Sequence, residues 1–172
     1  MVGWYPPPDG WLKLNSDGAV SGVSGLACAG GLLRNSDGKW AGGFIMNIGI
    51  CSVLRSELWG MLQGISFDWS AGFRKLLVEC DNKTVVQMIV GEVMPHAADL
   101  PLINSIKALI NLDWTVKVVH VYREANRAAD WLASFASQFP RGLHVLQQAP
   151  ASINDILYQD FIGVSSTRMV IV

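Results

Sequence analysis

Four acidic residues lie where a carboxylate could take part in chemistry. They are Asp17 in a strand pattern, Glu57 in the first helical pattern, Asp81 directly after an apolar run and Asp130 in the last helical pattern. Four carboxylates at one point would repel one another strongly unless cations neutralise them. Mg²⁺ is the natural partner, because it is a hard ion that prefers oxygen ligands. Two such ions about 4 Å apart form the usual arrangement for in-line displacement at a phosphoryl group.

Each acid also has a simpler interpretation when it is taken alone. Asp17 could be a polar residue with satisfied hydrogen bonds near a strand end, and Glu57 could be a first-turn carboxylate favoured by the helix dipole. Asp81 could be the N-cap of the following helix. In an open α/β sheet, however, sites form at the carboxyl ends of strands, and Asp81 follows such an end. The acidic site therefore depends on the elements that would bring the four residues together.

The tetrapeptide Asn-Ser-Asp-Gly occurs twice, in different surroundings. Residues 15–18 lie within an alternating pattern that continues through Val20, which is typical of a strand. Residues 35–38 lie between two apolar runs, where Asp-Gly predicts a hairpin turn. We therefore predict that Asp17 lies in the sheet and that Asp37 belongs to a turn.

The order of the remaining patterns predicts an α/β fold. Strands are expected over 11–20, 25–34, 39–49, 76–78 and 114–122, and helices over 53–69, 82–91, 99–112 and 123–139, the last with Asn126 as N-cap. This order predicts a five-stranded mixed sheet, with three antiparallel strands followed by parallel ones and helices on both faces. The proline-rich residues 1–10 are expected to be an extended lead-in, and residues 11–139 the domain. Residues 140–172 are expected to form a C-terminal tail with a short helix around 153–160.

Composition is that of one domain with a sizeable core. The chain has 172 residues, of which 51% are hydrophobic, and a formal net charge of −1. Nucleic-acid binders are usually more basic, so any nucleic-acid site here must be a local patch. No apolar run reaches the roughly 18 residues of a membrane helix, and no signal peptide is apparent. We therefore expect an intracellular protein with no membrane partner.

The three cysteines, Cys28, Cys51 and Cys80, are widely spaced and odd in number. This spacing argues against a disulfide framework or a zinc site. It predicts buried, reduced thiols and a reducing compartment, either the nucleus or the cytoplasm.

Four segments resemble, in order and spacing, the motifs of the ribonuclease H domain: KLNSDGA, SELWG, VECDN and HVYREANRAADWLA. The resemblance is to the plant reverse-transcriptase-like type found in non-LTR retrotransposons, and it covers about residues 4–139. It implies a ribonuclease H-like fold. It also implies a metal-dependent endonuclease that hydrolyses the RNA strand of RNA/DNA hybrids with two Mg²⁺ ions, for which Mn²⁺ can substitute.

The resemblance also carries over individual residues. It implies that Asp17, Glu57, Asp81 and Asp130 are the catalytic acids and metal ligands, with Glu57 near the ribose 2′-OH of the cleaved strand. Candidate substrate-binding residues beside these acids are Gly18, Asn82, Lys83, Arg123 and Asn126. Many relatives carry a histidine before the last helix. Here we expect Arg123 to take that part and His120 to pack in the core.

Substrate binding is where the sequence departs from the family. Its basic residues form no run, which predicts weak and salt-sensitive binding of a hybrid by a monomer. Help would come from a partner or, if the chain is a fragment, from a fused domain such as a reverse transcriptase.

Two other functions remain open at this stage. One is a catalytically silent ribonuclease H-like module that binds nucleic acid or protein, which low basicity favours and the four intact acids oppose. The other is a 3′–5′ exonuclease, a class that uses an Asp-x-Glu pair on the first strand. The corresponding stretch here, SDGAVSG, has no second acid.

Overall fold

The computed structural model describes residues 1–167, so the last five residues of the predicted tail lie outside the described part. The chain forms one six-stranded mixed sheet with helices against it. The strands are β1 (Leu12–Val20), β2 (Leu26–Arg34), β3 (Trp40–Ile50), β4 (Lys75–Cys80), β5 (Thr115–His120) and β6 (Gly142–Leu146). The helices are α1 (Val53–Ser70), α2 (Lys83–Val90), α3 (Leu100–Ile110), α4 (Arg127–Phe135) and α5 (Asn154–Phe161).

The strand order across the sheet is β5-β4-β1-β2-β3-β6. The first three strands are antiparallel neighbours, as predicted. β4 runs parallel to β1, and β5 runs parallel to β4. β1 therefore has a partner on each side, which places the first Asn-Ser-Asp-Gly copy in the interior of the sheet.

The prediction of five strands was wrong by one. The sixth strand, β6, comes from the predicted tail and pairs antiparallel with β3, with Ile45 opposite His144. A five-residue strand gives only a weak alternating signal in the sequence. Its pairing could be predicted only by knowing that β3, which pairs with β2 on one side, would otherwise be an edge strand on the other. Pairing covers the hydrogen-bonding groups that an edge strand would expose. The tail also contains α5, which confirms the helix predicted around residues 153–160.

Helices pack on both faces of the sheet, as predicted. On one face, α1, α2 and α3 cover a core that includes Leu14, Met61 and Ile106. On the other face, α4 and the tail cover a second core that includes Leu132 and Ile153. Among residues 1–167, no helix combines the length and apolarity that a membrane span requires.

The predicted helix over 123–139 begins later than expected. Arg123–Ala125 form a single 3₁₀ turn, α4 begins at Arg127, and a second 3₁₀ turn at Ala136–Gln138 ends it. Asn126 occupies the N-cap position, but its side chain does not cap the helix. Its amide points into the protein instead, because buried partners are available there.

Residues 1–10 contain no helix, and part of this lead-in packs inside the protein. The indole of Trp4 is buried and donates a 2.9 Å hydrogen bond to the side-chain oxygen of Asn15. All three cysteines are free thiols; Cys28 and Cys80 are buried, whereas Cys51 is only half-buried.

Candidate active site

Asp17 lies in β1, where the strand passes closest to α1. The next residue, Gly18, donates its backbone N–H to Oδ1 of Asp17 at 2.9 Å and to Oε2 of Glu57 at 3.1 Å. A Cβ atom on Gly18 would clash with the backbone nitrogen of Glu57. Glycine is therefore required here by the close approach of strand and helix, and its N–H fixes both carboxylates.

Glu57 lies in the second turn of α1. The helix begins after Ser52, whose hydroxyl accepts a 3.2 Å hydrogen bond from the backbone nitrogen of Arg55. This cap satisfies a free N–H at the helix start, so Glu57 is not needed there. Its side chain is only 4% exposed and faces β1.

Asp81 follows the carboxyl end of β4. The residue after it, Asn82, caps α2 by accepting a 3.2 Å hydrogen bond from the backbone nitrogen of Val85. Asn82, and not Asp81, is therefore the N-cap of α2, so capping does not account for the presence of Asp81. The Asp81 side chain lies beside Asp17 and contributes to the same cleft.

Asp130 lies in the opening turns of α4, and its side chain is 43% exposed. Its Oδ1 is 3.6 Å from Nη2 of Arg123, and both side chains are solvated. Its carboxyl lies within hydrogen-bonding reach of Asp17. It is also close enough to Asp81 to raise the pKa of that residue through charge repulsion. The structure thus brings all four predicted acids together.

Asp17, Glu57 and Asp81 line a cleft of about 520 Å³, and Asp130 lies next to them outside the lining. Among residues 1–167, Lys83 and Arg123 are the only basic side chains apart from His120 in its lining. The complete lining is Asp17, Gly18, Val53, Glu57, Asp81, Asn82, Lys83, His120, Tyr122 and Arg123. Four of the five predicted substrate-binding residues therefore face the cleft, and their contact with substrate stays a prediction.

Burial and mutual repulsion raise the pKa of three of the carboxyl groups. Burial, followed by the charge of Asp81, raises the pKa of Asp17 to about 8. Burial, followed by the charges of Asp17 and Asp81, raises the pKa of Glu57 to about 10. The pKa of Asp81 is also raised, mainly by burial, against the opposing effect of Arg123. The cluster is therefore short of positive charge, which is the condition that favours a bound cation.

The donor set suits a hard divalent cation. The four side chains offer carboxylate oxygens, which Mg²⁺ and Mn²⁺ prefer. Within residues 1–167, Cys80 brings a soft donor to the acids, with its Sγ 3.9 Å from Oε2 of Glu57. Burial raises the pKa of this thiol well above its usual range, and a thiol is in any case a soft donor, whereas Mg²⁺ and Mn²⁺ prefer oxygen ligands.

Two predicted residues have unexpected positions. Asn126 is 1% exposed, and its amide donates to the carbonyl of Ser16 at 3.0 Å and accepts from Asn15 at 3.2 Å. His120 lies in a strand, as predicted, and is the last residue of β5, but the prediction that it packs in the core was wrong. β5 is an edge strand whose end is open to solvent, so His120 is exposed, with its ring Nε2 3.2 Å from the carbonyl oxygen of Asp81.

Sequence reasoning also missed residues that support the acids. Asn15 and Glu79 precede Asp17 and Asp81 by two positions and are paired neighbours in the β1–β4 register. The alternating pattern put Asn15 on the Asp17 face, which was the available signal, but nothing local revealed its partner across the sheet. Tyr122 packs edge-to-face on His120, with ring centroids 5.5 Å apart, at the rim of the cleft.

Comparison with known proteins places this geometry in a family. A family model described as reverse transcriptase-like matches residues 15–136, which include all four acids. The chain belongs to this reverse transcriptase-like family. The match agrees with the resemblance to a plant-type ribonuclease H domain found in the sequence.

The reverse transcriptase-like domain has a longer curated relative in Arabidopsis thaliana. That protein, which carries a provisional ribonuclease H name, is 39% identical over 170 residues. The match includes 99% of this chain, but the chain spans only 27% of the length of that relative.

Solved structures with the ribonuclease H fold resemble the domain. The N-terminal ribonuclease H domain of a Mycobacterium tuberculosis protein, solved as a fusion with maltose-binding protein, is 25% identical with a TM-score of 0.70. The match covers 74% of this chain and 94% of that one. LC11 ribonuclease H1, solved in complex with an RNA/DNA hybrid, is 20% identical with a TM-score of 0.65, over 73% of this chain and 95% of that one. The second likeness concerns the fold alone.

Proposed function

We propose that this domain is a divalent-cation-dependent endoribonuclease that hydrolyses the RNA strand of RNA/DNA hybrids. The observation that carries the proposal is the convergence of four carboxyl groups. Asp17, Glu57 and Asp81 line one open cleft and have raised pKa values, and Asp130 interacts with Asp17 and Asp81. Membership of the family and the ribonuclease H names of its relatives support the same activity.

The proposed cofactor is a pair of Mg²⁺ ions, with Mn²⁺ as a substitute. Such ions would neutralise charge on the phosphodiester and make water a stronger nucleophile. Asp17, Glu57, Asp81 and Asp130 would be the protein ligands of these ions. The N–H of Gly18 keeps the carboxylates of Asp17 and Glu57 oriented toward each other before any ion arrives. Cleavage would leave 5′-phosphate and 3′-hydroxyl ends.

The rim of the cleft supplies the contacts for the substrate backbone. Lys83 at the start of α2 and Arg123 before α4 bring positive charge to the lining of the cleft. Asn82 and Gly18 add polar groups between them. Glu57 is the residue proposed to lie near the ribose 2′-OH, the group that distinguishes RNA from DNA. Asn126 would act from inside the protein, since its side chain is buried.

Binding by the isolated domain should be weak and sensitive to salt. Two basic side chains at the rim neutralise few phosphates, and phosphate contacts supply most of nucleic-acid affinity. The curated relative is much longer than this chain. We propose that a fused or associated domain, such as a reverse transcriptase, increases affinity, and that the domain acts as a monomer in a reducing compartment.

The test is cleavage of an RNA/DNA hybrid whose RNA is labelled internally and blocked at both ends. We expect internal cuts in the RNA strand with Mg²⁺ or Mn²⁺, no cuts with EDTA, and no cuts in a DNA duplex of the same sequence. Cleavage only of a matched hybrid whose RNA has a free 3′ end would instead indicate an exonuclease. Hybrid binding without any cleavage by folded protein would contradict the proposal and indicate a silent module.

A further inference from the structure

A buried chain of polar contacts connects the C-terminal helix α5 with the strands that carry the acids. It begins at Asp160 in α5, whose Oδ2 is 2.8 Å from Nη1 of Arg34 in β2. Nη2 of Arg34 donates to Oδ1 of Asn15 in β1 at 3.2 Å. Asp160, Arg34 and Asn15 are all at most 4% exposed. Water therefore cannot replace these contacts when one of them is lost.

Asn15 connects this chain of contacts to β4 and to the segment before α4. Its amide nitrogen donates to Oε2 of Glu79 in β4 at 2.9 Å and to Oδ1 of Asn126 at 3.2 Å. Asn126 in turn donates to the carbonyl of Ser16, the residue before Asp17. Asn15 and Asn126 therefore use all of their side-chain polar atoms in this one cluster, which fixes their orientation.

A second branch from the same carboxylate reaches α4. Oδ1 of Asp160 is 3.3 Å from Nη2 of Arg127, the first residue of the helix that carries Asp130. Arg127 also donates to the side chain of Gln159 at 2.9 Å. One carboxylate in α5 is thus tied to β1 through Arg34 and to α4 through Arg127.

We propose that Asp160, Arg34 and Asn15 are positioning residues that set the separation of Asp17, Asp81 and Asp130. The proposal rests on the function proposed above. It makes α5 part of the active unit, although this helix lies beyond the residues that match the family model and adds no residue to the described lining of the cleft. Asn15 and Glu79 are paired across the adjacent parallel strands β1 and β4. Asp17 and Asp81 each come two residues later in the chain. A shift in that pair would therefore change the distance between the two acids.

The test compares divalent-cation affinity, measured by titration calorimetry, with kcat and KM for the hybrid. Asp160→Asn should lower cation affinity about tenfold, a usual size for coupling between sites. It should lower kcat similarly and change KM less than twofold, because the rim contacts remain. Asp160→Glu should recover part of the loss. Asp155→Asn, an exposed change in the same helix, is the matched control and should leave all three quantities unchanged.

A second variant covers the case in which Asp160→Asn fails to fold. Replacing the buried ion pair by Arg34→Met with Asp160→Leu leaves no unpaired charge between them and often preserves stability. This double variant should fold and show the same tenfold loss of cation affinity. Normal cation affinity and kcat in either folded variant would overturn the positioning role while leaving the proposed function intact.

The wild-type protein supplies an independent readout. Coupling is reciprocal, so adding Mg²⁺ should slow amide hydrogen exchange in α5 as well as around the cleft. Slowing around the cleft with none in α5 would overturn the positioning role. A wild-type protein that binds no divalent cation and cuts no hybrid would overturn the proposed function and this role together.

Discussion

The two copies of Asn-Ser-Asp-Gly adopt different structures and have different surroundings. In the first copy, Asn15 is fully buried among side chains from other strands, and Asp17 lines the acidic cleft. In the second, the side-chain oxygen of Asn35 accepts hydrogen bonds from the backbone nitrogens of Asp37 and Lys39, both at 3.0 Å. The first copy therefore connects distant parts of the chain, whereas the second closes a turn on itself.

The glycines show the same contrast. Gly18 is required because α1 lies against the strand at that point. Gly38 has a φ of 74°, a left-handed conformation that glycine adopts without strain. The comparison shows that neighbouring strands decide the role of the tetrapeptide. β1 is paired on both sides, while residues 35–38 connect β2 to β3.

The largest difference should appear in activity. Asp17→Asn should reduce hybrid cleavage on the order of 10²–10³-fold, because a group that stabilises charge in the reaction is lost. Asp37→Asn should leave the rate unchanged. Both variants should have native circular dichroism spectra. Retained cleavage in Asp17→Asn, or a selective loss in Asp37→Asn, would reverse the roles assigned to the two copies.

The second difference is in stability. Asn15→Ala should lower the free energy of unfolding by about 3 kcal/mol, because the indole of Trp4 and the guanidinium of Arg34 lose a buried acceptor. Asn35→Ala should lower it by about 1 kcal/mol, since water can reach the exposed turn. Urea denaturation of both variants measures these values. Equal losses would mean that the buried cluster contributes no more than the turn.

Substitutions of the two glycines should have a smaller effect, which can be measured both as stability and as cleavage rate. Gly18→Ala should destabilise the protein by about 1–3 kcal/mol through overpacking, and should also lower cleavage because Glu57 must move. Gly38→Ala should cost about 1–2 kcal/mol through its left-handed backbone, with normal cleavage per folded molecule. Thermal unfolding and initial rates separate the two variants. Normal cleavage by Gly18→Ala would show that the approach of α1 to β1 is not critical.

The smallest effect is the pH dependence of stability without divalent cations. The folded-state pKa of Asp17 is about 8 and that of Glu57 about 10, both above the values of about 4 expected in the unfolded chain. Their protonated forms stabilise the fold below pH 4, and this contribution is lost as pH rises through the folded-state values. In EDTA, the melting temperature should therefore fall on the order of 5 °C between pH 5 and pH 9. Asp17→Asn should reduce this fall, and Asp37→Asn should not.

Several features of the fold could be predicted because their signals are local. The alternation through β1, the hairpin at the second Asn-Ser-Asp-Gly copy and the helix in the tail are all present in the structure. Motif order also identified the family. β6 was missed because a five-residue strand becomes meaningful only beside β3. His120 was misplaced because the pattern of β5 does not show that this strand lies at the edge of the sheet.

The supporting contacts of the site could not be read from the sequence. Asn15 and Asp160 are separated by 145 positions in the chain, and only the packed structure shows that Arg34 lies between them. Arg127 precedes Asp130 by three positions in the sequence, but its guanidinium pairs with Asp160 in the tail. Local patterns thus predicted the acids, whereas the residues that hold them in place depend on long-range packing.

The most direct test of the central claim, that the four carboxylates form one divalent-cation site, is calorimetric titration with Mg²⁺ at pH 7 in two buffers of different ionisation enthalpy. Because the pKa values of Asp17 and Glu57 lie above 7, binding should release protons, and the measured heat should depend on the buffer. We predict binding with proton release for the wild type and Asp37→Asn, and much weaker binding for Asp17→Asn. Absence of binding in the folded wild type, or equal binding with and without the Asp17 carboxylate, would contradict the account.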